Sequence, residues 1–160
     1  MKLLGAVLVL GAGALWGWDR ARRLGERERL LLDWKRLIQR LNTEIGYTAR
    51  PLAQLLLREG ASSRFCREAA GDPAFAADPQ RALGAAGERL LERPGDRELF
   101  RAFAQGLGAS GVEGQLEHLA LCQGLLGPIL EEAREEREKK SKLYLALGAF
   151  AGIALCLALF

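Results

Sequence analysis

Apolar positions follow two regimes along this chain. Residues 3–18 (LLGAVLVLGAGALWGW) and 143–160 (LYLALGAFAGIALCLALF) are unbroken runs without a charge. Between them, apolar side chains recur at three- and four-residue steps, the period of an amphipathic helix. Leu30, Trp34, Leu37, Ile38, Leu41 and Ile45 make one stripe, with Asp33, Lys35, Arg36, Gln39 and Arg40 off it. That spacing predicts a helix from about Glu26 to Gly46. Pro51 suits the first turn of a second helix, faced by Leu52, Leu55 and Leu56 and ended by Gly60. Ser62 or Ser63 caps a third helix holding Phe65, Cys66, Ala69 and Ala70, which Gly71-Asp72-Pro73 stops. Asp78-Pro79 opens a fourth through Leu83, Leu90 and Leu91, although Gly84 and Gly87 inside it each cost about 1 kcal/mol relative to Ala. Pro94-Gly95-Asp96 starts a fifth, with Leu99, Phe100, Phe103 and Leu107 inward and Gly108 at its close. Ser110 and Glu113 have capping-box spacing ahead of a sixth helix through Leu116, Leu119, Ala120 and Leu126, where Gly127-Pro128 is a kink site.

No strand pattern appears, so the expected fold class is all-α: a compact six-helix bundle flanked by two membrane-spanning helices. The segment EEAREEREKKSK (131–142) is polar on every side. Its acid-first pairs Glu135–Lys139, Glu136–Lys140 and Glu138–Lys142 favour a solvated helical stalk. The expected organisation is an N-terminal anchor (1–18), a bundle (19–130), the stalk (131–142) and a C-terminal anchor (143–160).

Charge fixes the expected orientation. All 20 acidic residues and all but Lys2 of the 23 basic ones lie between Asp19 and Lys142. As helices the two oily runs reach roughly 24 and 27 Å, near the lower limit for spanning a bilayer. Trp16, Trp18 and Tyr144 suit its interfaces. Arg20, Arg22, Arg23, Arg27 and Arg29 follow the first run, and Lys139, Lys140 and Lys142 precede the second. Basic residues hold their side in the cytoplasm. The expectation is therefore a cytoplasmic middle domain, both termini across the membrane, and Arg20, Arg22 and Arg23 at lipid headgroups. Lys2 and Ala12-Gly13-Ala14 also fit a cleavable signal peptide, which would export the domain. The two basic clusters argue for the uncleaved anchor. Gly13 with Gly17, and Gly148 with Gly152, are four-residue glycine spacings that admit close helix packing, either between the anchors or with a partner's helices.

Little chemistry is on offer. His118 is the sole histidine, and Cys66, Cys122 and Cys156 lack ligand spacing. Neither a two-histidine metal bundle nor a zinc site can be built, and no phosphate loop or nucleophile elbow is present. No cofactor or metal is expected. Three unspaced cysteines suit reduced thiols. The middle domain's small basic excess is too slight for a nucleic-acid footprint.

Four stretches carry a resemblance: KLLGAVLVLGAGALWGW (2–18), LNTEIGYTARPL (41–52), FAQGLGASGVEGQLEHLALCQGLL (103–126) and EEAREEREKKSKLYLALGAFAGIAL (131–155). Together they resemble the stage III sporulation protein AB family over nearly the whole chain, most weakly at 66–94. The family's pattern usually has Asp where this chain has Gly111. The resemblance implies a helical bundle similar to the cytoplasmic domains of the platform protein of type II secretion and type IV pilus machines. It implies a non-enzymatic part in a mother cell–forespore channel complex needed for endospore formation, in the mother-cell membrane around the forespore. The implied partners are a secretion-type ATPase, the stage III sporulation protein AA, and other stage III membrane proteins of the same operon, along with lipid. Glu44, Tyr47, Arg50, Gly108, Glu113, Gln115 and His118 sit at motif positions. They are candidates for partner contact and equally for fixing the turns of the fold. An enzymatic alternative would use Glu44, Glu113 and His118 as acid–base groups, provided that they converge in one pocket.

Overall fold

In the computed structural model the Trp34 stripe is carried by α1 (Lys2–Tyr47), and Leu30, Trp34, Leu37, Ile38, Leu41 and Ile45 are all buried. The structure describes residues 2–47 and 50–159; of these, the side chains at 2–14, 16, 20, 141, 145, 148, 149 and 151–159 are left undescribed. Five further helices follow: α2 (Leu52–Glu59), α3 (Arg64–Ala70), α4 (Pro79–Leu90), α5 (Pro94–Gly106) and α6 (Val112–Leu159). The described residues are therefore all-α, with six helices and no strand. The chain divides into two units. One is Arg29–Leu130; the other joins Met1–Glu28 to Glu131–Phe160.

The first unit is built on an aromatic centre. Trp34 meets Phe100 edge-on with centroids 4.9 Å apart, Phe100 stacks on Phe65 at 4.4 Å, and Phe103 packs against both Trp34 and Phe100. Such rings dominate a small core through area and geometry. Trp34 Nε1 is buried there without a hydrogen-bond partner, at a cost of about 1–3 kcal/mol against the burial it accompanies.

Helix starts depart from the sequence reading at several places, the first being α1, which runs continuously from Lys2 where a start near Glu26 was expected. Pro51 is not in the first turn of α2 but is its N-cap, φ −58° and ψ 141°, its carbonyl accepting from Gln54 and Leu55. Ser63 is the N-cap of α3, yet the capping oxygen comes from α1: Asp33 Oδ2 accepts the Arg64 N–H at 2.8 Å and the Ser63 hydroxyl at 3.3 Å. Asp78 caps α4 as expected, accepting the Arg81 N–H at 2.9 Å with Pro79 next in line. The interior glycines of α4 have a packing role. A Cβ on Gly87 would overlap the buried Phe100 ring, so the glycine lets α4 and α5 close on each other, whereas a Cβ on Gly84 would make ordinary contact with Ala104 at 3.9 Å.

In the second unit the charged segment is not solvated on every side. Ala133 is fully covered, and Glu136 and Arg27 are mostly so. Arg27 reaches Glu136 at 3.0 Å and Glu132 at 3.6 Å, while Glu28 accepts from Arg137 at 2.8 Å. The expected pairs Glu135–Lys139 and Glu136–Lys140 form at 2.8 Å. Their mutual hydrogen bond lowers the Glu135 pKa and raises that of Lys139. No helix among the described residues is long and apolar enough to cross a membrane. Most side chains of the two uncharged runs are among those left undescribed, so the packing expected of Gly13, Gly148 and Gly152 lies outside the described residues.

Candidate functional site

Three of the candidate residues converge. Arg50, Gly108 and Gln115 line one open groove of about 320 Å³, together with Ile45, Leu52, Leu55, Gly111 and Val112. Its floor is aliphatic and Arg50 is the cation among its lining residues. Tyr47, the last residue of α1, is 87% exposed, and Val112 is half exposed.

The wall between α5 and α6 is shaped by a short turn. Gly108 has φ +72°, a left-handed conformation that favours glycine. Gln115 holds this turn from both ends: its Oε1 accepts the Gly108 N–H at 3.1 Å and its Nε2 donates to the Ser110 carbonyl at 2.9 Å. Gln80 on α4 donates to the Leu107 carbonyl from the other side. Gly108 and Gln115 therefore fix the turn while presenting its outer surface.

The other candidates lie elsewhere. Glu44 accepts from Arg58 at 3.2 Å and lines a different cleft, with Arg36, Gln39, Arg40, Thr43 and Glu59. Glu113 is exposed in the first turn of α6. His118 turns inward: Nε2 donates to the Phe103 carbonyl at 3.0 Å and its ring lies parallel to Phe103. A Cβ on Gly106 would overlap that ring, so this glycine makes the seat for His118. The three groups of the enzymatic alternative are thus each engaged in a separate setting.

The expected Ser110–Glu113 capping box is not formed, because the helix starts one residue later than that spacing requires. The carbonyl of Gly111 accepts the Gln115 N–H at 3.0 Å and α6 begins at Val112, which makes Gly111 the N-cap and Glu113 the second helical residue. Among the described residues the two thiols, Cys66 and Cys122, are buried. Burial pushes Cys66 up to about 12 and also raises Cys122, so both stay protonated at neutral pH. Among the described residues no group of His, Cys, Asp and Glu is placed to hold a metal.

A family model described as stage III sporulation protein AB matches residues 2–160. The chain belongs to the stage III sporulation protein AB family. The protein of that name from Bacillus subtilis (strain 168) is 28% identical to it over 170 residues, covering 99% of each chain. No solved structure matches. Membership assigns a part in sporulation. Gly111, where the resemblance leads one to expect Asp, is the N-cap of α6. The pattern's Asp falls on the N-cap, where glycine is an acceptable substitute.

The groove was only half legible beforehand. Its polar members stand in the motifs, but Ile45, Leu52, Leu55 and Val112 belong to three helices. No spacing along the sequence marks them as neighbours.

Proposed function

We propose that this protein is a non-enzymatic platform subunit of the mother cell–forespore channel complex. In this reading both uncharged runs are retained membrane anchors and the Arg29–Leu130 bundle faces the mother-cell cytoplasm. The bundle docks the secretion-type ATPase, the stage III sporulation protein AA, and passes its position or force to other stage III membrane proteins of the operon. Family membership supports the sporulation setting, and the uncharged runs with their inner basic clusters support the topology.

The observation that carries the docking step is the groove. Arg50 stands over an aliphatic floor of Ile45, Leu52 and Leu55, with the Gln115-held turn on one side. An aromatic and an arginine beside an apolar hollow are the residue types that anchor protein partners. Arg50 lines the hollow, and Tyr47, exposed at the end of α1, stands two residues beyond the lining residue Ile45. Glu44 and Gln115 hold the fold around this surface. The enzymatic alternative draws no support from the positions of Glu44, Glu113 and His118.

The test is capture of the purified ATPase by the full chain in detergent. Tyr47→Ala and Arg50→Glu should each weaken capture about tenfold or more, or roughly 1.4 kcal/mol, without changing the melting temperature. Capture unaffected by the double variant would refute the groove as the docking surface.

A further inference from the structure

The lysines that precede the second uncharged run are not equivalent. Lys139 pairs with Glu135 and Lys140 with Glu136, each at 2.8 Å. The expected third pair of the same spacing, Glu138–Lys142, does not form among the described residues. Glu138 and Lys142 instead line an open cleft of about 360 Å³ together with Glu28, Arg134 and Arg137. That volume is in the range of small-ligand sites. Lys142 is exposed and is the last charged residue before Leu143.

The cleft is organised by a covered carboxylate. Glu28, whose side chain is 8% exposed, accepts from Arg137 at 2.8 Å and lies 3.5 Å from Arg134 Nε. Arg134 also approaches the exposed Glu131 at 3.6 Å. The two arginine side chains nevertheless stay 49% and 53% exposed. Each guanidinium has five N–H donors in a planar fork, so donors remain for a second anion while Glu28 holds one edge. Three cations face two carboxylates across the cleft, which leaves one positive charge. A phosphodiester carries one negative charge and completes the balance. A zwitterionic headgroup brings its own cation and does not.

The place of the cleft along α6 selects the source of the phosphate. At about 1.5 Å per residue, Lys142 stands about 1.5 Å and Arg137 about 9 Å before Leu143. The headgroup layer on one side of a bilayer is about 5–8 Å deep. Lysine and arginine reach across such distances with their charged ends in the polar layer. With residues 143–160 in the bilayer, the cleft lies at the level of the headgroups.

We propose that the cleft of Glu28, Arg134, Arg137, Glu138 and Lys142 is a headgroup site that takes the phosphate of an anionic phospholipid. Glu28 positions the two arginines, and Lys142 supplies the charge that no side chain of the cleft neutralises. The site rests on the second uncharged run being a membrane anchor and is independent of ATPase docking.

The test is native mass spectrometry of the full chain in detergent, titrated with phosphatidylglycerol or with phosphatidylethanolamine. Phosphatidylglycerol should bind at least about fivefold more tightly. Lys142→Gln should weaken its binding about fivefold, and Lys142→Arg should keep it. Arg134→Gln, which leaves Arg137 on Glu28, should act in the same direction as Lys142→Gln. Lys139→Gln removes the same charge outside the cleft and should change the affinity less than about twofold. Lys142 has no ion-pair partner among the described residues, so Lys142→Gln should melt at the temperature of the parent chain. Equal losses for Lys139→Gln and Lys142→Gln would reveal diffuse attraction and overturn the site, as would equal retention of the two lipids. Excess inorganic phosphate should leave the lipid bound; displacement would assign the cleft to free phosphate and overturn the lipid as its ligand. Alkaline carbonate extraction of membranes carrying the parent chain separates the two kinds of failure. Release would sink the anchor reading and this site together, whereas a retained chain with any of the contrary binding results overturns the site alone.

Discussion

Two glycines three residues apart in α4 show how much one Cβ decides. Gly87 lies under the Phe100 ring, which Trp34, Phe65 and Phe103 hold from other sides. Gly87→Ala must displace a ring that has nowhere to go, and should cost about 1–3 kcal/mol in spite of better helix propensity. At Gly84 the nearest atom, Ala104 Cβ, is at 3.9 Å. Gly84→Ala should therefore stabilise the protein, by up to about 1 kcal/mol. Urea unfolding of the two variants checks the opposite signs; a loss at both positions would contradict this packing. The sequence shows both glycines as the same propensity penalty. The difference comes from Phe100, thirteen residues beyond Gly87 and on another helix, and no local pattern encodes it.

Among the elements, the legible ones are those whose signals are local. The stripe from Leu30 to Ile45 is periodic and is buried as read, and Asp78-Pro79 caps α4 because both residues act within one turn. What the sequence hides is supplied by distant partners: Asp33 capping α3 from α1, and Arg27 and Glu28 engaging a segment whose composition alone suggests free solvation. The start of α6 is a further case. Gly111 is its N-cap, φ there is not positive, and a Cβ would meet nothing within 4 Å. An acidic side chain at this place can accept from the free N–H groups of the first turn and complement the helix dipole. Gly111→Asp should raise stability by about 0.5 kcal/mol. Thermal unfolding checks it, and a destabilised variant would mean that the helix does not begin here.

At the scale of the whole molecule, the candidate site was legible as a set of motif positions but not as a surface. Arg50, Gly108 and Gln115 share a groove, whereas Glu44, Glu113 and His118 are dispersed to an ion pair, a solvent-facing turn and a seat against Phe103. The groove serves a cytoplasmic motor only if the bundle lies in the cytoplasm. In the proposed topology the inner basic clusters hold it on that side. The most direct measurement is proteolysis of the full chain in sealed membrane vesicles of known orientation. In inside-out vesicles trypsin should digest the Arg29–Leu130 bundle, and in right-side-out vesicles the bundle should survive intact. Digestion from the outer side with protection from the cytoplasmic side would contradict the account.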